Sequence, residues 1–526
     1  MKSKILITEE LSEEGVQKLK AEMDVDVVKG MKHEELLKKI KDYDALIVRS
    51  ATKVNRELIN AGVKLKVIGR AGVGIDNVDV DAATEKGIIV VNAPEGSTIS
   101  VAEHTIAMLM SLSRKIPQAC STIRDKKWEK SKFMGTQVYD KTLGIVGIGR
   151  IGAEVAKRAH GLGMKVIAYD PFINSERAKE LGVSLVTLDE LLGESDYISI
   201  HTPLTKETKN LIGVETFKKM KNCVRIINCA RGGIIDEKAL AEAIKSGKVG
   251  GVALDVFENE PPKDSPLLAM DEVIATPHIA ASTQEAQVSV AVTIAEQVLA
   301  ALKGGPVKNA VNMYAVKPEV FEAIRPYLSL AEKLGKLASQ LAPASIESLE
   351  ISYHGEIAEK ETELTTTAIL KGVLELIISN VNYVNAPLII KNRGMKVVKV
   401  KTWAIENFTS LISVRAMTGK GDVTVAGTVF GKNDARVVKI DGCRINAFPS
   451  GYMLIAKHLD KPKVIGPVGM VLGEAGINIS GMQVSRIKSE GQEAIMVLNV
   501  DSAVSDEILK KMQKIDGIID VKLAVL

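Results

Sequence analysis

The sequence predicts an α/β protein: two parallel-sheet domains, then a mixed α/β domain and a small ferredoxin-like one. Three observations predict it. Short β-branched runs alternate with amphipathic stretches through the first part of the chain, a glycine-rich loop at 147–152 separates a buried strand pattern from a helix pattern, and the C-terminal segment runs in βαββαβ order.

With 526 residues the chain exceeds what one hydrophobic core supports, so several domains are expected. A hydrophobic share of 46% and a charged share of 25% match ordinary soluble globular proteins and argue against long disorder. The formal net charge of +4 is nearly balanced, and no basic cluster is long enough to track a phosphate backbone, so nucleic acid is not an expected partner. Cys120, Cys223, Cys229 and Cys443 show no metal-ligand spacing. They read as reduced, inert thiols in a cytoplasmic protein, and no metal is expected. The N-terminal apolar run is too short for a signal peptide, and the apolar stretch 288–302 is interrupted by Glu296 and Gln297, so no membrane span is expected.

In chain order, residues 4–8, 25–28, 45–48, 67–69 and 88–91 read as buried strands, with amphipathic segments such as 34–41 between them. Asn92-Ala93-Pro94-Glu95-Gly96 breaks the pattern with turn formers and reads as a hinge, followed by a helix over 99–113. A second unit has strands at 143–146, 165–169, 197–200, 224–228 and 252–256. The helical segment 282–302 ends in Lys303-Gly304-Gly305-Pro306, a strong helix stop, and can run back onto the first domain, which would then be discontinuous. After Asn312 the composition shifts: 318–342 reads as helix, and the remainder is rich in Val, Ile and Thr, alternating at 423–429. From 454 onward the pattern is strand, helix (467–475), strand, strand (494–500), helix (506–515), strand (518–525). The expected division is 1–98 plus 283–312, then 99–282, 313–451 and 452–526.

Gly147-Ile148-Gly149-Arg150-Ile151-Gly152 follows a buried strand and opens a helix, the context in which GxGxxG binds a dinucleotide. The first glycine allows a tight turn, the second lets the backbone approach a pyrophosphate, and the third lets helix and strand pack closely, while the helix N-terminus supplies amide donors. Asp170 closes the next strand, where an acid binds the ribose hydroxyls and repels the extra phosphate of NADP; NAD is the expected cofactor, and helix capping before Pro171 is the structural alternative.

Arg231, Glu260 and His278 each follow the C-terminal end of a strand, where an open parallel sheet presents its ligands. Oxidising a secondary alcohol needs a base for the hydroxyl proton, and a histidine backed by a carboxylate fits. A guanidinium holds a carboxylate bidentately and polarises the adjacent carbonyl in the reverse direction. Singly, each residue is more often structural; together on one sheet edge they point to a 2-hydroxy-acid dehydrogenase.

These motifs, with His201-Thr202-Pro203-Leu204, Asn228-Cys229-Ala230-Arg231-Gly232-Gly233, Asp255-Val256-Phe257-Glu258-Asn259-Glu260-Pro261 and Thr276-Pro277-His278-Ile279-Ala280, resemble the D-2-hydroxy-acid dehydrogenase family. The resemblance implies two Rossmann-like domains, with 99–282 binding NAD and 1–98 plus 283–312 binding substrate. It makes Arg231 the carboxylate ligand, Glu260 the acidic partner and His278 the general acid/base. It assigns Val73, Gly147, Gly149, Arg150, Ile151, Gly152, Asp170, Thr202, Cys229, Ala230, Asp255, Ile279, Ala280 and Ala281 to the cofactor, with Asp255 and the backbone after His278 at the nicotinamide.

Within that family the chain looks most like the long-form branch acting on 3-phosphoglycerate in L-serine synthesis, on the strength of Val48-Arg49-Ser50-Ala51-Thr52, the stretch 69–77, Trp128, Phe133-Met134-Gly135 and Lys141-Thr142-Leu143. The implied substrate set is Arg49, Ser50, Gly72, Gly74, Arg231 and His278, with Arg49 on the phosphate. Arg70, Lys130 and Lys132 are further phosphate candidates, though a solvated loop is an equal reading of the two lysines. His104 reads as an interface histidine and His201 as cleft wall. Residues 436–445 resemble that branch's intervening domain, and 458–462 through 476–479 an ACT domain, which in related enzymes binds L-serine; Asp460 and Asn478 are the implied effector contacts. Lys463 departs from the usual glycine and puts serine sensitivity in question. The resemblance also implies a homodimer through the cofactor domains and tetramers built by the C-terminal modules. Alternative readings are a glyoxylate or hydroxypyruvate reductase of the same family, or a nucleotide-sensing regulator on the same fold.

Overall fold

The computed structural model describes residues 2–404, 408–486 and 493–526. Its first sheet is built from the strands Asp24–Val27, Lys4–Ile7, Ala45–Val48, Val67–Arg70 and Ile89–Asn92, in that spatial order and all parallel. Two of these strands are almost wholly apolar because helices cover both faces: Ile5, Leu6, Ile7 and the run 45–48 are at most 1% exposed. Part of that cover comes from far along the chain. Val290, Ile294 and Val298 of the helix Gln284–Leu302 share a core with Ile5, Ile7, Val67 and Val91, so the chain returns to this sheet late in its course. By length and composition this helix could cross a membrane; its packing makes it a core helix.

The second sheet has seven parallel strands, ordered Val273–Ala275, Val249–Leu254, Val224–Asn228, Tyr197–Ile200, Thr142–Val146, Lys165–Tyr169 and Ser184–Leu185. Strand order reverses between Thr142–Val146 and Tyr197–Ile200, which opens a crevice at their carboxyl ends. The strand expected to reach residue 256 ends at Leu254, and Asp255 turns to serve the 276–280 loop. The helix Ile116–Arg124, absent from the sequence expectation, extends the connection into this sheet and has no buried residue.

The third sheet runs Lys396–Thr402, Ile346–Gly355, Ser410–Thr418, Gly421–Phe430, Asp434–Ile440 and Cys443–Ala447; its first pairing is parallel and the rest are antiparallel. Against it lie the helices Pro318–Leu341 and Glu363–Glu375. The second of these is hard to see in the sequence because Thr365-Thr366-Thr367 disfavours helix locally. Burial overrides propensity: all three threonines are buried, and the Thr366 hydroxyl hydrogen-bonds Tyr353 Oη at 2.7 Å. The helices cross at reciprocal glycines. A Cβ on Gly335 would stand 2.2 Å from the Ile369 carbonyl, and one on Gly372 would stand 2.0 Å from the Glu332 carbonyl.

The last sheet is antiparallel, ordered Ile479–Arg486, Glu493–Val500, Tyr452–Leu459 and Ile518–Val525, and carries the helices Ile465–Glu474 and Asp506–Gln513. This is the ferredoxin-like plan that the sequence pattern predicts. Its edge strand joins the neighbouring domain where Lys522 Nζ donates to the Leu341 carbonyl at 2.6 Å.

Because backbone rather than a flexible side chain faces Gly335, Gly335→Ala must push two helices apart. The expected loss is about 2 kcal/mol, measured by urea unfolding of the full chain. An unchanged midpoint would contradict the packing described.

Candidate active site

The cofactor crevice is shaped by backbone geometry at the glycine loop. Gly147 has φ 90°, and a Cβ there would stand 2.9 Å from the His201 carbonyl. Gly152 lies under the loop, where a Cβ would meet the Gly147 carbonyl at 2.2 Å. Nothing lies within 4 Å of a Cβ position on Gly149, which therefore faces the open crevice. The helix Arg150–Gly161 starts here with no side-chain cap, so its first amides remain available to an anion. Asp170 binds this loop and its own strand end: Oδ2 accepts from the Ile148 amide at 3.0 Å and Oδ1 from the Phe172 amide at 2.9 Å. On the opposite wall, Thr202 Oγ1 and His201 Nδ1 are buried without a hydrogen-bond partner among the described residues. Open amides, an unfilled cradle at Gly149 and two unsatisfied polar atoms fit a dinucleotide.

His278 and Glu260 are paired just past the strand ends of the second sheet. His278 Nδ1 and Glu260 Oε2 are 2.9 Å apart, and Glu260 Oε1 also accepts from the Phe257 amide at 3.1 Å. The bond to Glu260 raises the His278 pKa above the ordinary histidine value against the opposing effect of burial. Burial alone would raise Glu260, but the bonds from His278 and the Phe257 amide outweigh it and hold the carboxyl low. The pair is thus predisposed to an ionised carboxylate beside an imidazole that binds a proton readily.

Asp255 holds the loop that carries His278. It is fully buried; Oδ1 accepts from Thr276 Oγ1 at 2.6 Å and from the Ile279 amide at 2.9 Å, and Oδ2 accepts from the Ala280 amide at 2.9 Å. Both oxygens are engaged by the loop that includes His278, itself at φ 54° in the left-handed region. His104, on the helix Thr98–Arg114, reaches the same knot, with Nε2 3.3 Å from Thr276 Oγ1 and 3.5 Å from Asp255 Oδ1. It therefore ties the first long helix of this domain to the loop that carries His278. Ala280 is buried in the core, Ile279 and Ala281 are exposed, and Ala230 is partly buried. Burial pushes the Cys229 thiol up to about 12 and holds His201 down at about 4, so the thiol stays protonated and the imidazole neutral near pH 7.

Arg231 crosses the cleft. Its Nε donates to Asp76 Oδ2 at 3.1 Å, its Nη1 donates to the Ala230 carbonyl at 2.6 Å, and Nη2 packs where a Cβ on Gly74 would be 1.9 Å away. Gly74 and Asp76 belong to the loop after the strand Val67–Arg70, so the cofactor-domain arginine is seated on the other sheet's edge. Arg70 points into the same place, its Nη1 1.7 Å from a Cβ position on Gly72. Burial and the neighbouring Arg231 hold the Arg70 pKa below the ordinary arginine value against the opposing pull of Asp76, and Arg49 adds to the lowering. Arg49 follows the adjacent strand, and its loop is pinned by Glu9, which accepts from the amides of Arg49, Ala51 and Thr52 at 2.8–3.0 Å. Asn77 joins the loops, donating to the carbonyls of Arg49 and Thr52 at 2.7 Å each and accepting from Arg70 Nε at 3.5 Å.

Sequence reasoning singled out the arginines but not Glu9, Asp76 or Asn77 as organisers. Asp76 and Asn77 stand within the quoted 69–77 motif, and Glu9 follows the first strand, so only their position offered a signal. Val73 accepts through its carbonyl from Asn92 Nδ2 at 2.6 Å, and Ser50 is exposed beside Arg49. Lys130 and Lys132 lie on the short turn Lys130–Phe133, where Lys132 Nζ is 2.6 Å from Glu129. In the last domain Asp460 Oδ2 pairs with Arg486 Nε at 2.5 Å, and Asn478 Nδ2 donates to Asp501 Oδ2 at 2.7 Å, so both implied effector residues already have protein partners. Lys463 sits at φ 67°, the left-handed conformation that suits glycine. Lys463→Gly is therefore expected to stabilise the chain by about 1 kcal/mol, read as a higher urea midpoint; a lower midpoint would contradict the strain.

Comparison with known proteins matches this architecture. Residues 106–280 fit the profile of the D-isomer specific 2-hydroxyacid dehydrogenase NAD binding domain, 323–441 that of the D-3-phosphoglycerate dehydrogenase intervening domain, and 452–517 that of the ACT domain. The chain is 48% identical to D-3-phosphoglycerate dehydrogenase of Archaeoglobus fulgidus, over 98% of this chain and 99% of that one. It is 46% identical to the enzyme of the same name from Methanocaldococcus jannaschii, with the same coverage. Among solved structures, D-lactate dehydrogenase of Aquifex aeolicus, complexed with NAD and lactic acid, aligns over 57% of this chain and 96% of that one at 34% identity with a TM-score of 0.52. The apo-structure of D-lactate dehydrogenase from Escherichia coli aligns over 59% and 99% at 32% identity with a TM-score of 0.53. The chain therefore belongs to the D-isomer specific 2-hydroxyacid dehydrogenases, as an NAD-dependent enzyme with an appended ACT domain.

Proposed function

We propose that this chain oxidises 3-phospho-D-glycerate to 3-phosphohydroxypyruvate with NAD, the entry reaction of L-serine synthesis. The observation that carries this reading is the convergence of Arg49, Arg70 and Arg231 on one cleft edge. A substrate bearing both a carboxylate and a phosphate would supply the negative charge that Glu9 and Asp76 only partly provide. The names of the full-length relatives agree with it.

Arg231 holds the substrate carboxylate at the Gly74 face, with the Gly72–Gly74 backbone and Ser50 alongside, and Arg49 and Arg70 take the phosphate. The substrate hydroxyl faces His278 Nε2, since Nδ1 is bonded to Glu260. His278 takes the hydroxyl proton and Glu260 stabilises the resulting imidazolium. The glycine loop and Asp170 would hold NAD, which when bound would supply the acceptor for the C2 hydride. Asp255 keeps His278 in register by fixing the 276–280 loop. Closure of the two sheets about residues 92–97 and 282 excludes water and aligns the reacting groups.

The proposed units are 1–98 plus 283–312 for substrate, 99–282 for NAD, and 313–451 with 452–526 for regulation. Homodimerisation through the cofactor domains is supported by the segment 116–134, where Ile123, Trp128 and Met134 are 55%, 85% and 84% exposed. An ACT effector would have to displace Arg486 from Asp460 and Asp501 from Asn478, so any L-serine effect is expected to be weak. Four free cysteines agree with a cytoplasmic setting.

Arg49→Gln should raise KM for 3-phosphoglycerate at least about tenfold with kcat little changed, since it removes binding common to ground and transition states. An unaltered KM would remove Arg49 from the phosphate site. Oxidation requires neutral His278, whose raised pKa makes kcat/KM fall as pH drops through a value above the ordinary histidine range. Glu260→Gln removes the cause of that rise, so the acid limb should move to lower pH while kcat falls about 10²-fold. A limb that stays in place would separate Glu260 from the proton transfer.

A further inference from the structure

The intervening domain grips the substrate domain at Gly87. This residue turns the chain from the helix Val80–Glu85 into the strand Ile89–Asn92 with φ 72°, and its carbonyl accepts from Asn382 Nδ2 at 2.7 Å. A Cβ on Gly87 would stand 2.3 Å from that nitrogen, so the contact is tight as well as polar. The amide orientation of Asn382 is set by its own loop: Oδ1 accepts from the amides of Val384 at 2.9 Å and Asn385 at 3.2 Å. With the oxygen committed there, the nitrogen must face Gly87. Beside this contact the two domains do not close on each other. A cleft of about 1100 Å³, with Gly87 and Asn382 in its wall and Lys64, Phe321 and Leu328 among its lining, lies between them. The hydrogen bond, more than close packing, holds the register at this point.

The strand that leaves Gly87 ends in the substrate cleft. Asn92 Nδ2 donates to the Val73 carbonyl at 2.6 Å, and the Ala93 amide donates to the Gly72 carbonyl at 2.9 Å. The next residue of that loop, Gly74, is the one against the Arg231 guanidinium. The tether between the two halves runs along the same strand. Asn312 Oδ1 accepts from the Val90 amide at 2.9 Å, and the Val311 amide donates to the Val90 carbonyl at 2.8 Å. A strand of four residues is thus held at its start by Asn382, along its edge by the tether, and at its end carries the loop that seats Arg231.

We infer that Asn382 is a positioning residue for the dehydrogenase reaction. Through Gly87 and the strand Ile89–Asn92 it sets the height of the Val73–Gly74 loop against Arg231, and so couples the regulatory half to the substrate carboxylate site. The inference rests on the proposed role of Arg231 as carboxylate ligand.

The full-length Asn382→Asp variant tests it. The substitution keeps an oxygen to accept from Val384 and Asn385, but replaces the donor facing Gly87 with a second oxygen opposite a carbonyl. KM for 3-phosphoglycerate should rise about three- to tenfold, with kcat and the NAD dissociation constant within twofold of wild type. Because the effect passes through Asn92, Asn92→Ala should raise KM, and adding Asn382→Asp to it should raise KM no further. An unchanged KM in Asn382→Asp, an equal loss of NAD affinity, or additive effects in the double variant would each overturn the inference. Amide hydrogen exchange gives a readout independent of substrate identity: residues 72–74 should exchange faster in Asn382→Asp than in wild type. Equal protection there would overturn the coupling, whereas absence of wild-type turnover of 3-phosphoglycerate would count only against the substrate assignment.

Discussion

Arg231 belongs to one sheet and is seated on the other. Its bond to Asp76 at 3.1 Å and its contact with Gly74 bring two carboxyl-terminal sheet edges to a common point. The requirement explains features that look unrelated in the chain. A side chain on Gly74 would displace the Arg231 guanidinium and the Asp76 carboxylate from each other, so glycine there keeps the bridge in place. The Asp76 side chain is 65% exposed, so the bridge contributes little to stability, about 0–1 kcal/mol. A weak bridge at the mouth of a cleft can open for substrate and re-form around it without large cost.

Around that bridge the charges divide by task. Arg49, Arg70 and Arg231 form a cationic edge that Glu9 and Asp76 only partly offset; burial first, and then the neighbouring Arg231 and Arg49, leave Arg70 with a lowered pKa. Across the cleft, Glu260 Oε2 pairs with His278, and Asp255 holds the loop that presents His278. His201 and Cys229, both near the crevice, are kept uncharged by burial and do not compete for protons. On the proposed reading, binding and proton transfer would thus fall to separate groups, and the buried Asp255 has partners for both its oxygens.

Most of the fold and the chemical core were legible in the sequence because their signals are local. A glycine loop between strand and helix, and polar residues just past strand ends, mark the site within a few residues of each feature. The helix Glu363–Glu375 was not legible, since its threonines favour other conformations until the core buries them. Nor were the organisers of the substrate loops. Glu9 pins residues 49–52 from about forty positions away, and His104 reaches Thr276 over a still longer stretch. Asp255 could be singled out as a site residue, but that its two oxygens are engaged by the 276–280 loop follows only from tertiary geometry. The same holds for Asp460, whose pairing with Arg486 joins two separate elements of the last domain.

On the proposed reading, a cationic cleft edge would select a phosphorylated 2-hydroxy acid for the His278–Glu260 pair. Its most direct test is the ratio of kcat/KM for 3-phospho-D-glycerate to that for D-glycerate, with NAD and the wild-type full-length chain. A site with three guanidiniums on one cleft edge should prefer the phosphorylated acid by at least about 10²-fold, because the analogue lacks the second anion that offsets this positive charge. Equal values for the two acids would contradict it.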